Sequence, residues 1–173
     1  MITGFENGDK NMELRIRDYQ PFDRSHIVKC MEGLGDYLAS IDQMKFSRRM
    51  PKYGERLTEE LLDKVNRKNG VIYVAEHKDL VIGFIAGIIF EWSEEELLEC
   101  VPLKSGRILE LFIDSNYRGQ GVGTMLTEKM ERYFRQNGCD VSRVEVFEPN
   151  VKAHYFYQKL GYRDRLIDMM KKL

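Results

Sequence analysis

Little in this chain of 173 residues serves a disulfide scaffold or a metal centre. There are three cysteines, Cys30, Cys100 and Cys139, an odd number without C-x-x-C spacing. The three histidines are scattered, so no zinc-ligand pattern forms and no metal is called for. Reduced thiols in a cytoplasmic protein are the expectation. A basic excess is also missing: 27 Lys and Arg stand against 28 Asp and Glu, a net charge of −1. That argues against a nucleic acid as the main partner. No apolar run approaches the roughly 18 residues of a membrane span, and no charged-then-apolar leader opens the sequence. Linkers, repeats and low-complexity stretches are absent too. What remains is the composition of a soluble globular protein, 43% apolar and 32% charged. The expected organisation is a loose extension over residues 1–11 followed by one domain over 12–173.

The informative stretch runs from Ile108 to Gln136. Ile108–Asp114 is an apolar, β-branched run of strand length. From Gln120 onward Val122, Met125, Leu126, Met130, Tyr133 and Phe134 recur at spacings of three and four, one face of a helix. Asn137-Gly138 supplies its stop. Between strand and helix lies Tyr117-Arg118-Gly119-Gln120-Gly121-Val122-Gly123-Thr124. Glycines in a first helical turn leave unpaired N–H groups accessible at the positive dipole end, a seat for phosphate. Three of them cost roughly 0.5–1 kcal/mol each relative to alanine, so a bare helix entry has little reason to keep them. A dinucleotide fingerprint needs G-x-G-x-x-G, and here the third glycine falls one position early. A phosphate-binding loop of the Walker type needs G-K-[ST], which is missing, and with it the case for a kinase.

The remaining chain reads as strand 12–19, helix 23–38, an irregular basic stretch 41–55, and a helix from Thr58 to about Lys68. Two strands then form a hairpin, 71–76 and 80–92, with Gly83 and Gly87 suggesting a bend or bulge. An acidic run, Glu91, Glu94, Glu95, Glu96 and Glu99, reads as a solvated loop or as a rim for a cationic acceptor. A strand over 140–147 and a helix over 150–160 follow, the helix capped by Asn150 and stopped by Gly161. Residues 163–173 should return as a last strand, although their ending is compatible with helix. The order β-α-α-β-β-β-α-β-α-β gives an α/β (α+β) fold: a mixed, mostly antiparallel central sheet with helices on both faces.

Arg118-x-x-Gly121-x-Gly123 after a hydrophobic strand resembles the cofactor motif of the GCN5-related N-acetyltransferases (GNAT). A second motif, Asn150-x-x-Ala153-x-x-Phe156-Tyr157-x-x-x-Gly161-Tyr162, is similar to another of that family. The resemblance spans nearly the whole chain from Met12 and is strongest between Ile108 and Tyr162. It implies the acyl-CoA N-acyltransferase fold and acetyl-CoA as co-substrate. The pyrophosphate would lie on Gln120, Gly121, Val122, Gly123 and Thr124, with Arg118 and Gly119 at the edge. The backbone of Phe112 and Ile113 would pair with the pantetheine amides. Asn150 and Ala153 would meet the pantetheine arm, and the Tyr157 hydroxyl the sulfur. Read from its residues alone, Tyr157 lies on the apolar face of its helix and could be plain core.

Glu110 is a carboxylate in the central strand. By period two it shares a face with Ile108 and Phe112, while Leu109, Leu111 and Ile113 face the other way. A structural ion pair would account for it, as would a base or an anchor for a substrate ammonium. The need for a base has a size. A lysine-like amine at pKa about 10.4 costs roughly 4–5 kcal/mol to neutralise at pH 7, an α-amine about 1 kcal/mol. The sequence therefore predicts acetyl transfer to a primary amine of a small molecule or a protein, by direct attack. Glu110 would assist deprotonation and Tyr157 would meet the leaving thiolate. A homodimer is compatible with this reading. A CoA-binding sensor that has kept the fold without turnover stands as the alternative.

Overall fold

The structure, a computed structural model, describes residues 14–172. The extension expected over residues 1–11 lies outside them. Five strands form one sheet in the order β1-β2-β3-β4-β5: Leu14–Asp18, Val71–His77, Leu80–Phe90, Ser105–Ile113 and Val141–Val144. All neighbours are antiparallel except β4 and β5, which are parallel and joined through a crossover helix. Helices α1 (Arg24–Ile41) and α2 (Tyr53–Arg67) cover one face. The crossover helix α4 (Val122–Gln136) and the last helix α5 (Val151–Lys159) cover the other, and a short α3 (Glu96–Glu99) lies in the acidic run.

Each face has its own apolar cluster. Ile27, Met31, Leu61 and Val65 from the helices meet Val74, Phe84 and Ala86 on the α1–α2 side. Leu126, Met130 and Phe134 of α4 meet Ile82, Ile85 and Ile108 on the other. β2 and β3, buried on both faces, are accordingly continuous apolar runs. Their hairpin closes on Lys78 and Asp79, both in the left-handed region at φ 48° and 64°, as a two-residue primed turn requires. At the start of α1, Asp23 is 1% exposed and takes both guanidinium nitrogens of Arg17, at 2.7 and 2.9 Å. Arg17 also reaches Glu76 at 2.7 Å, so an ion network ties β1, β2 and the helix entry together.

Four expectations need correction. The helix expected from Thr58 begins at Tyr53, five residues earlier. The turns that precede it are organised by Asp42, which accepts the N–H groups of Met44, Phe46 and Ser47. The strand expected over 140–147 is only Val141–Val144. Residues 163–172 form no strand; Leu166, Ile167, Met169 and Met170 are exposed, so this tail buries little and pairs with nothing in the sheet.

The fourth correction concerns the period of β4. Ala86 stands opposite Glu110 and Gly87 opposite Ile108, so Leu109 is an extra residue, a β-bulge. Ile108, Leu111 and Ile113 pack on the α4 side, whereas Leu109 and Phe112 pack on the α1–α2 side. Ala86 belongs to the α1–α2 cluster, so Glu110 points there as well. It shares a face with Phe112, not with Ile108, and Leu109 faces the same way as Glu110. Strict alternation cannot foresee a bulge that inserts one residue.

Candidate active site

The bulge falls where β4 loses its neighbour. β5 pairs with Ser105–Ile108 and then leaves, so the edge of Leu109–Ile113 has no strand beside it. This wedge is open to a ligand that can add to a strand edge. Phe112 and Ile113 lie on that edge. One lone pair of the Ile113 carbonyl is already engaged, by Arg118 Nε at 2.9 Å.

At the end of the wedge is the glycine loop. Gly119 and Gly121 adopt φ of 75° and 82°, and nothing lies within 4 Å of where their Cβ atoms would be. Their requirement is conformational: the chain must turn left-handed before α4 can start. Gly123 differs, because a Cβ there would meet the Phe156 ring at 3.3 Å. It lets α4 approach α5. Intrahelical bonding begins with the Met125 N–H on the Gly121 carbonyl. Among the described residues, the N–H groups of Gly119, Gln120, Gly121, Val122, Gly123 and Thr124 have no acceptor in the protein. The Val122 side chain is core at 1% exposure, so only its backbone faces the loop. The Gln120 side chain bonds the Asn116 carbonyl at 3.0 Å. These orphan donors at a helix N-terminus suit an anion such as a pyrophosphate.

Arg118 does not reach over the loop. Its guanidinium carbon lies 5.7 Å from the Tyr37 ring centroid and 6.0 Å from that of Phe112. Tyr37 in turn donates its hydroxyl to Asn150 Oδ1 at 3.3 Å. Asn150 caps α5 by accepting the Ala153 N–H, also at 3.3 Å. A link from α1 to α5 is thus made through Tyr37, a residue that no sequence motif marks.

Glu110 lies on the α1–α2 face of β4, whereas Tyr157 packs in the cluster on the α4 side. Among the described residues Glu110 has no ion pair and no hydrogen bond, which leaves the structural salt bridge without support. Burial pushes its pKa up from 4.5 to about 7, with Lys64 pulling weakly the other way. Tyr157 is 6% exposed and packs edge-on against Phe156 and Tyr162, at centroid distances of 5.0 and 5.3 Å. Burial, then Tyr162 and Glu110, raise its pKa well above the usual phenol value. Burial thus favours the neutral, proton-bearing form of both groups.

A model of the acetyltransferase (GNAT) family matches residues 37–162. The chain belongs to that family. Among GNAT relatives, it is 36% identical over 94 residues to an uncharacterized N-acetyltransferase of Methanocaldococcus jannaschii, which covers 54% of this chain and 53% of the relative. The match thus spans about half the length of that archaeal protein. To the thialysine N-epsilon-acetyltransferase of Sus scrofa it is 26% identical over 157 residues, 86% of this chain and 84% of the relative. The GNAT fold recurs in solved structures at low identity. A mutant BH1408 protein from Bacillus halodurans superposes with a TM-score of 0.79 at 18% identity, over 92% of this chain and 99% of that one. An aminoglycoside N-acetyltransferase in complex with CoA gives 0.70 at 17%, over 95% and 99%. No ≥18-residue helix among the described residues is apolar enough to cross a membrane, and no group of three potential metal ligands occurs among them.

Proposed function

We propose that this GNAT chain moves the acetyl group of acetyl-CoA to a primary amine held in the wedge between β4 and β5. The observation that carries the reading is the run of orphan N–H groups in the glycine loop, at the end of a wedge that opens where β5 leaves β4. In this reading the loop from Gly119 to Thr124 holds the pyrophosphate, Arg118 steadies the Ile113 carbonyl, and Asn150 and Ala153 border the pantetheine arm. Glu110 accepts a proton from the acceptor ammonium, directly or through water. The neutral amine attacks the thioester carbonyl, and the Tyr157 hydroxyl protonates the departing sulfur. The thialysine relative acts by name on an ε-nitrogen, which supports a lysine-like acceptor of high pKa here. Cytoplasmic residence is supported by three free thiols, and a homodimer by the exposed apolar tail.

Acetyl-CoA at about 100 times its Kd should stabilise the fold by about 2.7 kcal/mol. For a domain of this size that is a melting shift on the order of 5–10 °C. Gly121→Val should abolish the shift, since φ of 82° strains any side chain and a Cβ would stand before the N–H groups. A native protein whose melting ignores millimolar acetyl-CoA and CoA would end this reading. A shift with no thiol release across a broad amine panel would favour a sensor instead.

A further inference from the structure

Helices α1 and α2 roof β2, β3 and the far half of β4. The strip of the same face made by the start of β4 and by β5 lies outside their cluster. There Ser105 stands opposite Phe90, Arg107 opposite Ile88, and Arg143 beside Arg107. Ile88 belongs to the α1–α2 cluster, so both arginines point to the face that carries Glu110. Arg107 is matched by Glu145 at 2.6 Å. Arg143 has no such match. Its guanidinium carbon lies 5.1 Å from the Phe90 centroid and 4.8 Å from that of Trp92, and its Nη1 is buried without an acceptor.

A second guanidinium comes from the tail. Arg165 lies 5.8 Å from the same Trp92 ring, and its Nη2 meets the Cys100 sulfur at 3.7 Å. The hydroxyl of Ser105, a fully buried residue, is unpaired as well. Among the described residues neither Arg143 nor Arg165 has a carboxylate within ion-pair distance. Aromatic faces hold a guanidinium's charge but leave its in-plane N–H groups without oxygen, and buried donors of that kind call for a partner.

We infer that this strip seats an anionic group on the acceptor itself, held by Arg143 and Arg165 beside Trp92, while the acceptor's amine reaches Glu110. The acceptor is then a molecule with both an amine and a carboxylate or phosphate. The spacing fits: because Leu109 is bulged, the levels of Arg107 and Glu110 are set by Ile88 and Ala86 on β3, two residues or about 7 Å apart at ~3.3 Å per residue. An ω-amino acid with a four-carbon side chain, plus a hydrogen bond at each end, covers that length. The inference rests on the acetyl transfer proposed above. The acidic run lies beside an arginine strip, so the acceptor side presents both signs of charge.

The test compares lysine with 1,5-diaminopentane, which lacks only the carboxylate, and glucosamine 6-phosphate with glucosamine. In the native protein the anionic member of at least one pair should have the higher kcat/KM, by about 10- to 100-fold, the worth of a hydrogen bond to a charged group. The pair with the larger ratio tells carboxylate from phosphate. Arg143→Gln should bring that ratio to near unity, mainly through KM. Arg165→Gln, on the exposed tail, should reduce it without risk to the fold. Ratios of one in the native protein, or losses equal for both members of a pair, overturn the seat while leaving acetyl transfer standing. Trp92, the single tryptophan, reads the seat without turnover. Lysine should change its fluorescence saturably and 1,5-diaminopentane should not; no response to any anionic probe overturns the seat even if every amine proves inert.

Discussion

At the scale of the residue, Glu110 makes two demands that pull apart. Its carboxyl, raised from 4.5 to about 7 by burial, binds its proton more tightly in the folded chain than in the unfolded one. Folding stability associated with it is therefore full below about pH 4.5 and falls as pH rises to about 7, by ~3 kcal/mol if the whole shift is realised. The ionised form that the proposed role as a base requires is the form that destabilises. Glu110→Gln should melt higher than the native protein at pH 8 and equally at pH 4.5, in paired scans. Its kcat should fall by about 10²–10⁴, and the rise of rate through pH 7 should disappear. An unaltered pH–rate profile would return Glu110 to a structural role. Tyr157 separates ring from hydroxyl. Tyr157→Phe keeps the packing on Phe156 and Tyr162, so melting should move little and acetyl-CoA affinity should hold. A loss of kcat by about 10²–10⁴ is expected if the hydroxyl protonates the thiolate, and full kcat would assign that proton to water.

Among the elements, the β2–β3 hairpin carries strain that the sequence did not need. Lys78 and Asp79 both hold left-handed backbone, a conformation costing roughly 1–2 kcal/mol for most side chains. Replacing the pair by Asn-Gly should raise the melting temperature by a few degrees with turnover intact, because the turn lies at β3's start, beyond the wedge. A drop in melting would show that the lysine or aspartate side chain matters more than the backbone. Motif and pattern made this hairpin, α4, α5 and the order of the sheet legible, since each has local signals: apolar period, glycine stops, an asparagine cap. The start of α2 was not legible. Tyr53 and Gly54 carry no capping signature, and the preceding loop is set by Asp42 gathering three N–H groups. The bulge at Leu109 was hidden for a related reason, being a relation between two strands rather than a pattern in one.

For the whole molecule, the tail carries several of the most exposed apolar side chains. Leu166 and Met169 are 90% and 86% exposed, so residues after Tyr162 add little to either cluster. Ending the chain at Tyr162 should leave melting within a few degrees of native. If the tail joins two copies, light scattering should then report a monomer where the full chain gives a dimer; an unchanged mass would remove the tail from any interface. The expected last strand failed here because apolar residues alone do not make a strand; a ladder partner is needed, and β5 ends before offering one to the tail. The arginine strip escaped the sequence on similar grounds. Arg143 and Trp92 are 51 positions apart and share no motif. Only the register of β4 and β5 sets them beside Glu110's face.

Counting residues along β4 gives the bulge a further meaning. Strike Leu109 from the chain and every other side chain of the strand keeps its side: Ile108, Leu111 and Ile113 toward α4, Glu110 and Phe112 toward α1 and α2. Alternation would become unbroken, and the strand would lose the kink at which β5 peels away. A chain one residue shorter would have an orderly β3–β4 ladder through this point. A single inserted leucine thus sits at the level where β4 changes from a paired to an open edge.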